Sequence, residues 1–317
     1  MHRRALQAYL LAAALSTQAQ QIGTPDRAEY RADVEMVVLT FSVSDSKGRP
    51  VSGIKPEDVR VFEDELPQKI VSFAEGARTV RQFTGAEAGG ASVFILFDTS
   101  NHMYRMFPYV CDAIAGFVRR LDPADSVAIY SFSRNIFRAA PLTNDHEQAR
   151  AGLTRVVAGD DTALFNALLL TIRDAAKVPG RRAVVVFSNG ADNASMVAPG
   201  DVGRVAEDEG IPIFIISTLD TAQNPPQAAA LESITRRTGG ALYRARKWES
   251  QAAAFALVRE EIRSSYTVSY YPAPNPNQGF RQLRVELATG DAGQYRIRTR
   301  AGYNAHKPST PTPHTKK

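Results

Sequence analysis

Hydrophobic and polar positions divide the chain into three stretches of different period. Between residues 30 and 76 the apolar positions come in short runs: Val34 to Val43, then Val59-Arg60-Val61-Phe62, then Lys69-Ile70-Val71-Ser72-Phe73. Alternation of this kind predicts strands. The turn-forming clusters at 44–50 and 63–67 end them. No helical period interrupts this segment, so it reads as a small antiparallel β unit. Residues 76–90, rich in Gly and Ala, read as a linker.

From residue 91 to 263 the pattern becomes strand–helix alternation. The run Val93-Phe94-Ile95-Leu96-Phe97 is apolar on both faces, as in a parallel sheet covered by helices. A helix is predicted over 106–121, with Val110, Ile114, Phe117 and Leu121 on one face. Strands follow at 126–132, 183–187, 213–217 and 242–243. Helices are expected near 146–156, 162–177, 199–209, 228–238 and 250–262, the fourth closed by Gly239-Gly240. This order implies βαβ units and a mostly parallel central sheet in an α/β fold.

Beyond residue 264 the alternation stops. Three strands are predicted at 266–271, 282–287 and 294–299, within a C-terminal β unit spanning 264–303. The Pro-, Thr- and Lys-rich residues 304–317 are expected to be disordered. Either flank alone has too few strands for a core. The two flanks are therefore expected to pair into one small β-sandwich with the α/β domain inserted between its halves. Two separate small β units are the alternative.

Composition changes this picture little. The 317 residues, 44% hydrophobic and 22% charged, suit a globular protein of more than one domain. The formal charge of +5 is concentrated at the end, where eight Lys/Arg face only Glu286 and Asp291 from residue 281 onward. Solvated strand faces account for such a run without an anionic partner, and no nucleic-acid partner is expected. Residues 1–19 combine Arg3-Arg4, an apolar segment and Thr17-Gln18-Ala19, the pattern of an export signal. A frayed amphipathic helix is the alternative. That apolar segment is too short to span a bilayer unaided, and no later stretch reads as a membrane helix. The expected location is periplasmic or extracellular. The one cysteine, Cys111, has no internal disulfide partner and is assigned no chemistry.

Candidate chemistry sits where strands and helices meet. Asp98 and Ser100 follow the first α/β strand, Asp160-Asp161-Thr162 precedes a helix, and Ser188-Asn189-Gly190-Ala191-Asp192-Asn193 follows a later strand. Loops at the carboxyl ends of parallel strands form the ligand crevice of such sheets. Oxygen ligands converging there suit a hard divalent cation.

In this order and spacing the three segments resemble the von Willebrand factor type A (VWA) family. The flanks, with Val43-x-Asp45-x-x-Gly48-Arg49-Pro50 and Val61-Phe62-Glu63-Asp64-x-x-Pro67-Gln68, are similar to secreted bacterial VWA-related proteins first recognised as an acidobacterial set. The resemblance spans residues 30–303. It implies a Rossmann-like fold and a metal-ion-dependent adhesion site, in which Asp-x-Ser-x-Ser, a Thr and a further Asp hold a cation that captures a partner's carboxylate. The matching positions here are Asp98, Ser100, His102, Thr162 and Asn189, so two of the five differ.

An imidazole is a poor magnesium ligand, and Asn189 lacks the charge of a carboxylate. At an effective dielectric of ~20 and a separation of ~5 Å, the missing charge costs on the order of several kcal/mol. The site is therefore expected to be degenerate, with no tightly bound cofactor and at most weak binding of Mg2+ or another divalent cation. Zinc on His102 and Asp98 is a thin alternative set. Asp98 has a structural alternative too, as a helix cap or loop acceptor that needs no ion.

The leading expectation is an exported, non-enzymatic module that binds another protein through loops 99–105, 159–162 and 189–199. His102, Tyr104, Arg105 and Asp192 are the candidate contacts. A second expectation is a structural cell-envelope protein whose β-sandwich makes the contacts. A third is a hydrolase using Ser100 and His102. It lacks a Gly-x-Ser-x-Gly elbow, and only His102 and His146 could serve as base.

Overall fold

The structure is a computed structural model that describes residues 36–76, 90–219, 222, 224–288 and 294–305. The expected export signal, most of the linker and residues 306–317 lie outside these. The N-terminal flank holds β1 (Val37–Asp45), β2 (Val59–Glu63), β3 (Leu66–Gln68) and β4 (Ile70–Glu75). The middle of the chain follows with β5 (Ser92–Asp98), α1 (Phe107–Arg119), β6 (Ser126–Phe132), β7 (Ile136–Thr143), α2 (His146–Ala151), α3 (Leu164–Ala176) and β8 (Arg182–Ser188). It continues through α4 (Pro199–Asp208), β9 (Ile213–Ser217), α5 (Pro225–Thr238), β10 (Ala241–Arg244) and α6 (Trp248–Ser264). The C-terminal flank is β11 (Tyr266–Tyr270), β12 (Phe280–Leu287), β13 (Tyr295–Thr299) and β14 (Gly302–Asn304).

Strands β5 to β10 form one six-stranded sheet in the order β10-β9-β8-β5-β6-β7, parallel except for β7. Helices cover both faces, so alternate residues of β5 enter different cores. Val93, Ile95 and Phe97 pack in one, and Phe94 and Leu96 in the other. The chain winds outward from β5 through β6 and β7, then returns to β8 and winds the other way. That reversal puts a topological switch point between β5 and β8, where ligands bind in folds of this kind. Phe97 pairs with Phe187 in register, so Asp98 and Ser188 emerge side by side from the strand ends.

The flanking strands form two four-stranded antiparallel sheets, β13-β1-β11-β4 and β14-β12-β2-β3. Each combines strands from both ends of the chain. Phe41, Val61, Tyr266, Val268, Leu283 and Val285, drawn from both sheets, share one apolar core. The flanks thus pair as a β-sandwich, with the α/β domain between its halves. A buried ionic cluster crosses it: Glu63, 0% exposed, accepts from Tyr270 Oη (2.9 Å), Tyr303 Oη (2.8 Å) and Arg281 Nη1 (2.8 Å).

Three differences from the sequence reading have physical causes. Strand β7 was not predicted: its residues alternate irregularly around Pro141, and a register shift in its pairing with β6 accommodates them. Asn304, assigned to a disordered tail, is strand, because β14 pairs with β12 and Asn304 bonds the Asp208 carboxylate. The helix expected from residue 106 starts at Phe107, after a 3-10 segment over Asn101–Met106. Where the two domains abut, Gly239 ends α5 at φ 77°, and a Cβ there would lie 2.6 Å from the backbone carbonyl carbon of Thr299 in β13.

Candidate functional site

Hydrogen bonds tie the three candidate segments to one edge of the sheet. Asp98 is 1% exposed, and its Oδ1 accepts from the Ser100 backbone at 2.9 Å. Its Oδ2 accepts from Ser188 Oγ at 2.7 Å. Asn101 N donates to Asp160 O at 3.2 Å and Gly159 N to Thr99 O at 2.9 Å, which ties the first loop to the second. Asn193 N donates to Thr162 O at 3.0 Å, while Asn193 Oδ1 accepts from Thr162 N at 2.8 Å, which ties the second to the third.

The hydroxyls of Ser100 and Thr162, both 0% exposed, have no hydrogen-bond partner among the described residues. Two buried hydroxyls without partners cost on the order of 1–3 kcal/mol each. Buried hydroxyls of this kind, on loops bonded to one another, are what a cation or ordered water would satisfy. Among the described residues no group of three or more His, Cys, Asp or Glu could hold a metal ion. The donor set fits a loosely held, largely hydrated divalent ion: one carboxylate at Asp98, two hydroxyls, and water at the remaining positions. Such an ion, when bound, supplies an open coordination position for an anionic group.

The altered position Asn189 and the nearby acids Asp192 and Asp161 are engaged elsewhere. Asn189, half-buried, accepts from Ala191 N at 2.9 Å through its Oδ1. Asp192 accepts from Phe165 N (3.0 Å) and Ser195 N (2.9 Å), so it latches the third loop to the start of α3. Asp161 pairs with Arg134 Nε at 3.2 Å. His102, Tyr104 and Arg105 lie on the 3-10 segment after Ser100, and their side chains are outside the described parts. His146 contacts Asp125 O at 2.9 Å, at the amino-terminal end of β6. Ser100 is at the opposite edge of the sheet, some ~20 Å away along a seven-residue strand, so His146 cannot be its base. Burial raises the half-buried Cys111 thiol to about 11, which keeps it protonated at neutral pH.

Ser188 was read only as part of a loop, yet its hydroxyl holds Asp98 and also accepts from Gly190 N at 2.9 Å. Its place one residue before Asn189 was the available signal. Gly190 adopts φ 76°, and a Cβ there would come within 2.9 Å of Leu231, which makes glycine the residue that fits. Met196, 94% exposed on the third loop, and Val157, 78% exposed before the second, were also missed. Nothing in their periodicity marks them, because loops carry none.

Residues 93–191 match the family model of the von Willebrand factor type A domain. The VWA match thus runs from the first α/β strand into the start of the third candidate loop and includes Asp98, Ser100, Thr162 and Asn189. None of the curated proteins matches the chain. Among solved structures, an aerotolerance-related membrane protein from Bacteroides fragilis is 19% identical over 55% of this chain and 98% of that chain, with a TM-score of 0.46. A von Willebrand factor type A protein from Catenulispora acidiphila is 12% identical over 87% of this chain and 76% of that chain, at 0.46. Proximal thread matrix protein 1 from the mussel byssus, with a zinc-occupied MIDAS motif, is 17% identical over 53% and 47%, at 0.44. Likeness at this level assigns no activity.

Proposed function

We propose that the chain is an exported, non-enzymatic binding module that recognises another protein through the rim formed by loops 99–105, 159–162 and 189–199. The observation that supports this reading is that Asp98 is buried while the hydroxyls of Ser100 and Thr162, on loops bonded to one another, have no partner among the described residues. In this reading they make an oxygen site with too few charges to hold a cation tightly. The exposed Met196 and Val157 beside it add apolar contact area of the kind that partners bury. His102, Tyr104 and Arg105 add aromatic and cationic contacts on the same segment as Ser100, while the hydrogen bonds of Asp192 give it a loop-shaping role first. Kinship with the acidobacterial VWA-related set belongs to the same proposal, as does export to the periplasm or beyond.

Because the cation is held weakly or not at all, partner binding is independent of magnesium. Co-purification of the mature protein with its partner, with and without chelator, tests this, alongside a cation titration by calorimetry. Equal recovery supports the reading, and loss of the partner in chelator overturns it. Recovery by the isolated flanks, and equally by the full chain altered at Met196 and Asp98, would shift the contact to the β-sandwich.

A further inference from the structure

Helices α1 and α6 lie side by side, and a groove of about 520 Å³ opens between them. This is within the roughly 300–1,000 Å³ range of small-molecule sites. The groove is remote from the partner rim in chemistry, and the proposed function does not use it. Three features mark it as a site.

At one end are three arginines, Arg119, Arg120 and Arg259. Arg120 Nη1 donates to Gly116 O at 3.1 Å, and Arg259 Nη1 reaches Arg120 O at 3.4 Å. A Cβ on Gly116 would lie 3.2 Å from Arg120 Nη1 and 3.9 Å from Arg119 Nη2, so two guanidinium groups converge over this glycine. None of the three arginines forms an ion pair among the described residues. Like charges gathered without a counter-charge attract an anion, and the planar guanidinium fork matches phosphate oxygens in pairs.

At the other end Gln251, 1% exposed, lines the groove. Between the two ends the walls are Tyr109, Ala113, Ala252 and Phe255, with Asp112 the one acid. Tyr109 is 57% exposed. A ligand must therefore bring an anion to one end and an apolar body to the rest of the groove. Asp112 disfavours a ligand that is anionic along its whole length.

We propose that this groove binds a small soluble organic phosphate. Its phosphate sits on the guanidinium groups of Arg119, Arg120 and Arg259, and its apolar body lies against Ala113 and Ala252. A groove of this volume suits one small molecule better than a membrane surface.

The test uses the full mature chain and 4-nitrophenyl phosphate as probe, with titration followed by nitrogen–proton NMR. Saturable shifts at the amides of Gly116 and Gln251 are expected. Arg119→Ala with Arg259→Ala should weaken the probe by about tenfold or more, since each charge-assisted hydrogen bond contributes substantially. Arg119 is exposed and Arg259 half-buried, so the double variant should fold as the parent does. Affinity unchanged in the double arginine variant overturns the proposal. So does binding of 4-nitrophenol as tight as that of the phosphate. Sedimentation with phosphatidylglycerol vesicles that the probe does not displace would overturn it in favour of a lipid surface.

Discussion

Replacing Arg281 with methionine tests whether the two ends of the chain are held together as the sandwich requires. Arg281 lies on β12 and donates to Glu63 on β2, so the pair joins strands more than two hundred residues apart. Glu63 is fully buried and the Arg281 side chain is only 12% exposed. In Arg281→Met the carboxylate keeps its two tyrosine donors, Tyr270 and Tyr303, but loses its counter-charge. Leaving one member of a buried ion pair uncompensated costs about 3–5 kcal/mol, a large share of the roughly 5–15 kcal/mol that holds a domain folded. Urea unfolding followed by circular dichroism should show the midpoint falling accordingly. Adding Glu63→Gln to Arg281→Met should recover most of the loss, because a neutral amide still bonds both phenols and needs no counter-charge. A single-variant cost below about 1 kcal/mol, or a double variant no more stable than the single, would refute the reasoning.

Other perturbations address the site and the pH response. Asn189→Asp with His102→Ser restores the two altered ligand positions and should create magnesium binding measurable by calorimetry, at least about a hundredfold tighter than in the parent; no heat in the double variant means the loops are misassigned. Thr162→Val removes one unpartnered buried hydroxyl at nearly constant volume, so in chelator its melting temperature should equal or exceed that of the parent; a clear drop would mean the hydroxyl is already satisfied. Burial and the bond to Glu63 raise Tyr303 from 10.0 to about 12, and burial together with Asp174 raises Tyr130 likewise to about 12. A raised tyrosine stabilises the fold fully below its unfolded value and loses that contribution as pH climbs, so stability should fall between about pH 10 and 12 and not below it. Melts across that range check the sign, and flat stability through pH 12 would contradict it. Gly239→Ala should destabilise the chain by at least about 1–2 kcal/mol, since both its positive φ and its contact with β13 exclude a side chain; a neutral change in thermal melts would remove the close approach of α5 to the sandwich.

Periodicity alone was enough for most of the α/β middle of this chain, because a strand covered on both faces must be apolar throughout, as Val93 to Phe97 is. The candidate oxygen ligands were legible for a related reason: Asp98, Thr162 and the loop at Ser188 stand where a buried element ends, and polar groups there are conspicuous. Strand β7 escaped, since an edge strand bent around Pro141 keeps no clean alternation. What only the tertiary structure decided was pairing and engagement. Composition cannot say that β1 lies between β13 and β11, or that Glu63 meets Arg281, because such contacts join positions far apart along the chain. Nor could it say that Asp192 and Asn189 are already bonded to backbone while the hydroxyls of Ser100 and Thr162 are not. Hydrogen-bond satisfaction is a property of three-dimensional neighbours, and a one-dimensional pattern carries the donors and acceptors without their partners.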